Sequence, residues 1–345
     1  MTVVAVVLFS ILDVVAAFTN LTVLCIILPR NYLRTVSNLF LVGLTSTQLL
    51  MTLLVIPFSI VTFSKQEWSF SDGFCKFEGY LTTFLSISSA TFISVISVDR
   101  FFSLANPMSH AGNITGKHVI FASLFNWFHS AFWAAFPLFG LEGLNYKYFP
   151  AKNGCAFRWD LKGSYRIFYY FIAMESFILP SFTICLMYFK SFQTARKSAR
   201  QIRPGNIQIQ VLQNGEFTTV AQTNSYQSCK ANCTLTVIIG SFLISRGPLT
   251  IFNIVNSFTG EGYFSSLTET TVSFLLLLGP LLDSLVYFFL NRKLRQELYL
   301  ILRKCFKSKS DGDEEPKDIV DYLRSIADNV EKRHSSTDIE THDIE

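Results

Sequence analysis

Ser97-Val98-Asp99-Arg100-Phe101 closes the third of seven long apolar runs in this chain. A carboxylate and a guanidinium side by side, where a hydrophobic helix meets water, are expensive to hold unless they are used. A cysteine, Cys75, stands at the opposite end of the same run. The runs cover approximately residues 3–28, 36–63, 73–104, 117–140, 165–190, 231–258 and 267–290. Each exceeds the roughly 20 residues that an α-helix needs to cross about 30 Å of hydrocarbon. Spanning β-strands would be about 10 residues long and would alternate in polarity, which these runs do not. The expected fold is an all-α membrane protein, a seven-transmembrane helix bundle, without internal repeats.

Composition agrees. Half of the 345 residues are hydrophobic and 16% are charged, against about 25% in a soluble domain. Charge is unevenly spread. Residues 311–345 hold 12 acidic and 4 basic residues, and the rest of the chain holds 13 and 25. Most bases gather in alternate connections: Arg30 and Arg34; Arg100 and Lys117; Lys190, Arg196, Lys197, Arg200, Arg203 and Lys230; then Arg292, Lys293, Arg295, Arg303 and Lys304. The positive-inside rule puts these connections in the cytoplasm. Seven crossings then place the N-terminus outside and the C-terminus inside. The first run begins almost at Met1, lacks a basic start and is long enough to span, so no cleavable signal is expected. Either the protein has almost no outer N-terminal segment or the chain is truncated.

Of seven cysteines, Cys75 and Cys155 fall on the expected outer side, where oxidation is favoured. A bond between them would tie the top of the third helix to the second outer loop. Cys25, Cys185, Cys229 and Cys233 read as apolar residues. No Cys/His spacing suggests a metal. The sequence shows neither a nucleophile, base and orienter cluster nor a phosphate loop, so it calls for no enzyme, cofactor or nucleic-acid partner.

Further markers follow in order. Asn20 lies in the first run, Leu44 to Leu50 in the second and Trp68 in the first outer loop. Cys75 and Asp99-Arg100-Phe101 bracket the third run, with 25 residues from cysteine to arginine. Pro107-Met108 comes next, then Trp127, Pro180 and Tyr188, Phe242 and Pro248. Tyr287-Phe288 precedes a short amphipathic stretch, Arg292 to Leu302, that ends at Cys305. Each is weak alone. In this order and spacing they resemble the rhodopsin-like (class A) G-protein-coupled receptors over residues 1–305. Within that family, several stretches are similar to an orphan ciliary receptor that raises cAMP and restrains Hedgehog signalling. They are Ser37-Asn38 with Val55-Ile56-Pro57-Phe58, Glu67-Trp68-Ser69-Phe70, Ile87-Ser88-Ser89-Ala90, Cys229-Lys230-Ala231, Gly247-Pro248 and Lys332-Arg333-His334-Ser335-Ser336.

The resemblance implies a G-protein switch made of Asp99, Arg100, Phe101, Tyr188 and Tyr287. Arg100 keeps its charge at any working pH. It would pair with Asp99 in the inactive bundle and swing toward Tyr188 and an inserted Gα tail in the active one. The family often adds an acid at the inner end of helix six that locks this arginine, and Ser228 stands at that place. An exposed pair of this kind is worth about 0.2–1 kcal/mol, enough to shift a near-balanced equilibrium several-fold. Met108, a soft side chain on the second inner loop, would fill a pocket on Gα.

Four departures from the family pattern matter. Gln48 replaces the helix-two acid, so the sodium site that such an acid builds is expected to be weak or missing. Arg246 replaces the helix-six tryptophan. Asp283-Ser284 replaces Asn-Pro, so the seventh helix is expected to lose its proline kink. Thr82 replaces the acid by which amine receptors hold their ligand, which disfavours an amine. Thr82, Glu175 and Asn253 are the ligand-facing candidates. A cation at the bilayer centre costs at least about 2.5–3.5 kcal/mol without a partner. Arg246 is therefore expected to pair with Asp283, or else Glu175, and reversing the charges at 246 and 283 should restore surface expression. His129, Asp13 and Glu78 read as packing or rim residues.

Residues 206–220 alternate apolar and polar around Asn214-Gly215, a hairpin signal. Cys305, with Lys307 and Lys309 nearby, reads as a palmitoylation site. The domain division expected is a receptor domain over 1–305 and an acidic tail over 306–345, with an amphipathic helix at about 317–333. In that helix Ile319, Val320, Leu323, Ile326, Ala327 and Val330 form one apolar stripe. Nothing else in the tail can bury it, so it should enter a groove. The spacing resembles helices that dock on the regulatory subunit of protein kinase A. Ser335 and Ser336 follow two bases, a pattern similar to that kinase's substrates. Phosphate at Ser335 would add about −1.5 to −2 of charge and recruit or release a trafficking partner.

The leading expectation is an orphan class A receptor in the plasma membrane, placed in the primary cilium by resemblance. Its partners would be a stimulatory heterotrimeric G protein, protein kinase A, arrestin, ciliary trafficking adaptors and membrane lipid, and its activity would need no ligand. The alternatives are a receptor for a peptide or lipid, and a signalling-poor scaffold that anchors protein kinase A. A transporter or channel is disfavoured, because no broken, repeated helices appear.

Overall fold

A computed structural model describes residues 2–105, 114–139, 145–157, 165–201, 209–211, 217–219, 237, 240–256, 258, 265–290 and 292–307. The chain divides into two compact units, Met1–Leu294 and Arg295–Glu345. The first is an all-α bundle.

Its first span is Thr2–Ile27. The second opens where the Thr35 side chain accepts the Asn38 N–H, which satisfies one orphan donor of the helix start. It runs over Val36–Leu54, breaks at Val55 and resumes as Ile56–Lys65. Pro57 lies in the first turn of the resumed helix, where an N–H would have no intrahelical partner and its absence costs nothing. The third span, Asp72–Ala105, is unbroken. The fourth, Gly116–Ala135, opens with a reciprocal cap between Thr115 and His118 and ends in a tighter turn, Phe136–Phe139. The fifth comprises Tyr165–Ala173, a π turn at Met174–Ile178 and Leu179–Gln201. A helix over 240–256 is the sixth. The seventh comprises Ser266–Leu277 and Gly279–Leu290. A final helix, Arg292–Lys307, follows.

Among the described residues, six helices are long and apolar enough to cross a membrane. The helix over 240–256 lies between the last two in chain order. Large apolar side chains such as Phe18, Phe121, Phe128 and Phe182 face outward, as a hydrocarbon solvent allows. The third span lies at the centre, packed against the second, fourth and fifth. Small residues let the helices approach. A Cβ on Gly43 would stand 2.5 Å from the Phe92 ring.

The seventh span corrects one expectation. Loss of proline at Ser284 does not leave a straight helix, because the span is interrupted at Leu278, just before Pro280. Pro280 cannot donate to the ladder, and its ring crowds the carbonyl one turn earlier. The carbonyl of Pro280 instead accepts from Asn20 Nδ2 at 3.2 Å.

Between the fourth and fifth spans lies an antiparallel hairpin of β1 (Tyr146–Phe149) and β2 (Gly154–Phe157), with Tyr146 opposite Phe157. A disulfide joins Cys75 of the third span to Cys155, with Cα atoms 5.4 Å apart. A second hairpin pairs β3 (Ile209–Val211) with β4 (Phe217–Thr219), and the Asn214-Gly215 turn lies outside the described residues.

Candidate functional site

At the disulfide end the bundle opens into a cavity. Helical spacing builds two of its walls. Glu78, Thr82 and Ser86 come from the third span, one turn apart, and Arg246, Thr250 and Asn253 from the sixth. The Thr82 hydroxyl donates to the Glu78 carbonyl at 2.9 Å, and the Thr250 hydroxyl to the Arg246 carbonyl at 3.0 Å. Asn253 Oδ1 is buried with no hydrogen-bond partner.

The chain's own hairpin supplies another wall, through Lys152, Gly154, Cys155, Ala156 and Phe157. Three attachments hold it. The disulfide is the first. The second is the Glu78 carboxylate, which accepts the Cys155 N–H at 2.7 Å. A Cβ on Gly154 would stand 3.0 Å from Glu78 Oε1, so the strand lies flush on the acid. The third is Tyr146, whose hydroxyl donates to the Ala134 carbonyl at 2.8 Å. Burial pushes that phenol well above its ordinary range, so it stays a neutral donor.

Of the two readings, packing or rim, Glu78 takes the first, since it is 2% exposed. The available signal was its place, one helical turn from Cys75, where a loop tied to that cysteine must cross the third span. Glu175 is also displaced from its expected position. Thr82 and Asn253 share the cavity. Glu175 instead lines a separate crevice with His129 and Pro180. The π turn adds a residue to one helical turn, and Ser176 takes the cavity face there.

Below the cavity lies a charged core. Arg246 is 5% exposed and Asp283 3%. The expected ion pair between them is not formed. Arg246 Nη1 donates to the Ser86 carbonyl at 3.2 Å and Nη2 to Ser89 Oγ at 2.6 Å. Its Nε has no partner, and its guanidinium lies 5.5 Å from the Phe242 ring centroid. Gln48 Nε2 donates to Asp283 Oδ2 at 2.5 Å. Asp283 bears on Arg246 through its field rather than through contact. The third span's oxygens reach the guanidinium first, and the carboxylate turns to Gln48. The charge swap Arg246→Asp with Asp283→Arg should therefore fail to restore surface expression, because an aspartate at 246 cannot donate to the Ser86 carbonyl. Recovery to within two-fold of wild type by surface immunostaining would reject this geometry. Ser284 Oγ meets Thr19 Oγ1 at 2.8 Å, tying the first and seventh spans.

At the other end, Asp99 is buried and accepts from the Ser37 hydroxyl of the second span. Arg100 beside it is half-buried. The Lys190 ammonium lies 6.0 Å from the Phe101 ring, and Tyr188 stacks on Phe192 at 6.5 Å. The end of the third span thus meets the fifth. Tyr287 is on the seventh span and Cys305 on the final helix, their side chains outside the described residues. Met108, Ser228, the apolar stripe from Ile319 to Val330, Ser335 and Ser336 also lie outside them.

Residues 19–286 match the family described as 7 transmembrane receptor (rhodopsin family). The chain belongs to that family. Among curated relatives of this rhodopsin-family receptor, G-protein coupled receptor 161 of Xenopus tropicalis is 28% identical over 316 residues, covering 87% of this chain and 60% of the relative. The Homo sapiens protein of that name is 27% identical over 304 residues, covering 83% and 56%. Trace amine-associated receptor 1 of Macaca mulatta is 25% identical over 301 residues, covering 84% and 85%. The chain spans less than two thirds of the length of the first of these relatives.

Two features define the site. Its cavity is walled by its own loop, held by the buried acid Glu78. Its core carries a guanidinium that is hydrogen-bonded across to the third span.

Proposed function

We propose that this rhodopsin-family receptor signals without an added ligand through the stimulatory heterotrimeric G protein, raising cAMP. The observation that carries the reading is the hairpin that walls the cavity. A loop fixed by a disulfide, by Glu78 and by Tyr146 lines the space a ligand would enter. A tethered loop loses no freedom when it contacts the bundle, so it holds one bundle state without help from solution. The disulfide end faces outward and the Asp99-Arg100 end faces the cytoplasm. There Arg100 supplies a permanent charge to an entering Gα tail, with Tyr188 and Tyr287 completing the switch and Met108 on a Gα pocket. Likeness to G-protein coupled receptor 161 supports the G-protein partner.

The proposal extends to the tail. The stripe from Ile319 to Val330 docks on the regulatory subunit of protein kinase A, and Ser335 and Ser336 are phosphorylated by that kinase. The modified tail sets contact with arrestin and ciliary trafficking adaptors. Cys305 carries palmitate. The receptor works at the plasma membrane and the primary cilium, with a role in Hedgehog signalling. One observation favours a second reading, a receptor that waits for a peptide or lipid: the cavity keeps open volume and a buried Asn253 Oδ1 without a partner.

The test is cAMP in cells expressing the intact chain with no ligand, beside Arg100→Ala at matched surface level. The intact chain should raise cAMP several-fold, and Arg100→Ala should return it to the empty-vector level. If the intact chain also matches empty vector, coupling to the stimulatory G protein is refuted. The ligand-dependent and scaffold readings then come first.

A further inference from the structure

We propose that the interior cation site of this bundle is filled by a side chain, with the Arg246 guanidinium standing where a free sodium ion would otherwise be held. The argument begins with Asp283. A carboxylate 3% exposed inside a membrane bundle requires positive charge nearby, or it gives up its own. Its direct neighbours, Gln48 and Ser241, supply hydrogen bonds but no charge. Arg246 is the cation that acts on it. The oxygens that a small hard cation would need from the third span are Ser89 Oγ and the Ser86 carbonyl. Both already accept from Arg246, at 2.6 and 3.2 Å. A sodium ion would have to displace a tethered cation and sit beside it, with one carboxylate facing two positive charges. The donor set therefore does not fit a sodium ion while Arg246 is present.

Tethering has a mechanical consequence. A free ion can leave, and the helices around it can then rearrange. Arg246 cannot leave, and its two bonds join the sixth span to the third at Ser86 and Ser89. The spacing of these spans is then indifferent to sodium, and the substitution that removes the guanidinium opens a site for the ion. The inference concerns the bundle alone and stands apart from the choice of G protein.

The test is the melting temperature of the purified full chain in detergent, in sodium chloride against N-methyl-D-glucamine chloride at equal ionic strength. Wild type should melt at one temperature in both salts. Arg246→Leu should gain a sodium-dependent rise of about 2–4 °C, and Arg246→Leu with Asp283→Asn should lose it. Arg246→Lys, which keeps the charge, should stay indifferent. A sodium-specific rise in wild type overturns the proposal, as does a folded Arg246→Leu with no rise. If Arg246→Leu does not fold, recovery of folded protein in the neutral double variant supports the charge balance, and its failure to recover overturns it.

Discussion

Cys155→Ser should strip most folded receptor from the cell surface, to below about one fifth of wild type. The disulfide closes a loop of 80 residues in sequence. Bonds of this kind typically contribute about 2–4 kcal/mol, a large share of the roughly 5–15 kcal/mol that holds a folded protein together. The loss extends past the covalent bond. Cys155 is also the residue whose N–H meets Glu78, so a hairpin that lifts away leaves a buried carboxylate without that partner. It also withdraws Tyr146, whose ring fills the space beside Gly79, where a Cβ would stand 2.6 Å from the ring. Cys75→Ser, Cys155→Ser and the double variant should behave alike, because all three break one bond. Glu78→Leu should cost less, about 1–3 kcal/mol for the unmatched N–H. Surface staining and the melting temperature of purified protein read both effects. Single variants that match wild type in both would show the hairpin to be held elsewhere.

How far the sequence was legible follows from what each feature depends on. The apolar runs depend on local composition, so their limits lie close to the observed ones. The third was expected at 73–104 and is Asp72–Ala105, and the second was expected at 36–63 and ends at Lys65. The cysteine pairing was legible from the side of the membrane each residue falls on. The seventh span shows a partial reading. Attention to the missing proline at Ser284 hid Pro280, which kinks the helix a turn earlier. The clue was in the chain, but the family pattern pointed past it.

Other features depend on contacts between distant segments. Glu78 is polar and near a helix end, so it reads as a packing or a rim residue, and only the strand 77 residues later that crosses it decides between them. Arg246 was recognised as needing a partner, and its oppositely charged neighbour Asp283 was the natural choice. The sequence did not reveal that Ser86 and Ser89 come closer, because one of the two acceptors is a backbone carbonyl with no signature. Glu175 failed for a third reason. Its face is set by a π turn, and the 3.6-residue period used to assign faces does not hold through such a turn.

Gly43→Val should lower the melting temperature by about 5–10 °C, the second large effect expected. Its Cβ would meet Phe92 Cε1 and Cζ at 2.5 Å, and Phe92 is 1% exposed, with no room to retreat. Overpacking of this kind costs about 1–3 kcal/mol. The same contact supports a polar knot. Thr47, one turn along, donates to the Gly43 carbonyl at 2.9 Å and accepts from Trp127 Nε1 at 3.1 Å. Asn126 Nδ2 donates to the Ser88 carbonyl at 3.1 Å, and Thr47 meets Ser88 at 3.5 Å. Pushing the second span off the third strains each link to the fourth, and interhelical bonds in membranes average about 0.6 kcal/mol. The decisive measurement is a cycle with Phe92→Ala. Alone, Phe92→Ala leaves a cavity and should cost about 3–5 kcal/mol. In that background Gly43→Val fills space instead of clashing, so it should be neutral or stabilising. An equal cost of Gly43→Val in both backgrounds would show that Phe92 is not what the new methyl groups meet.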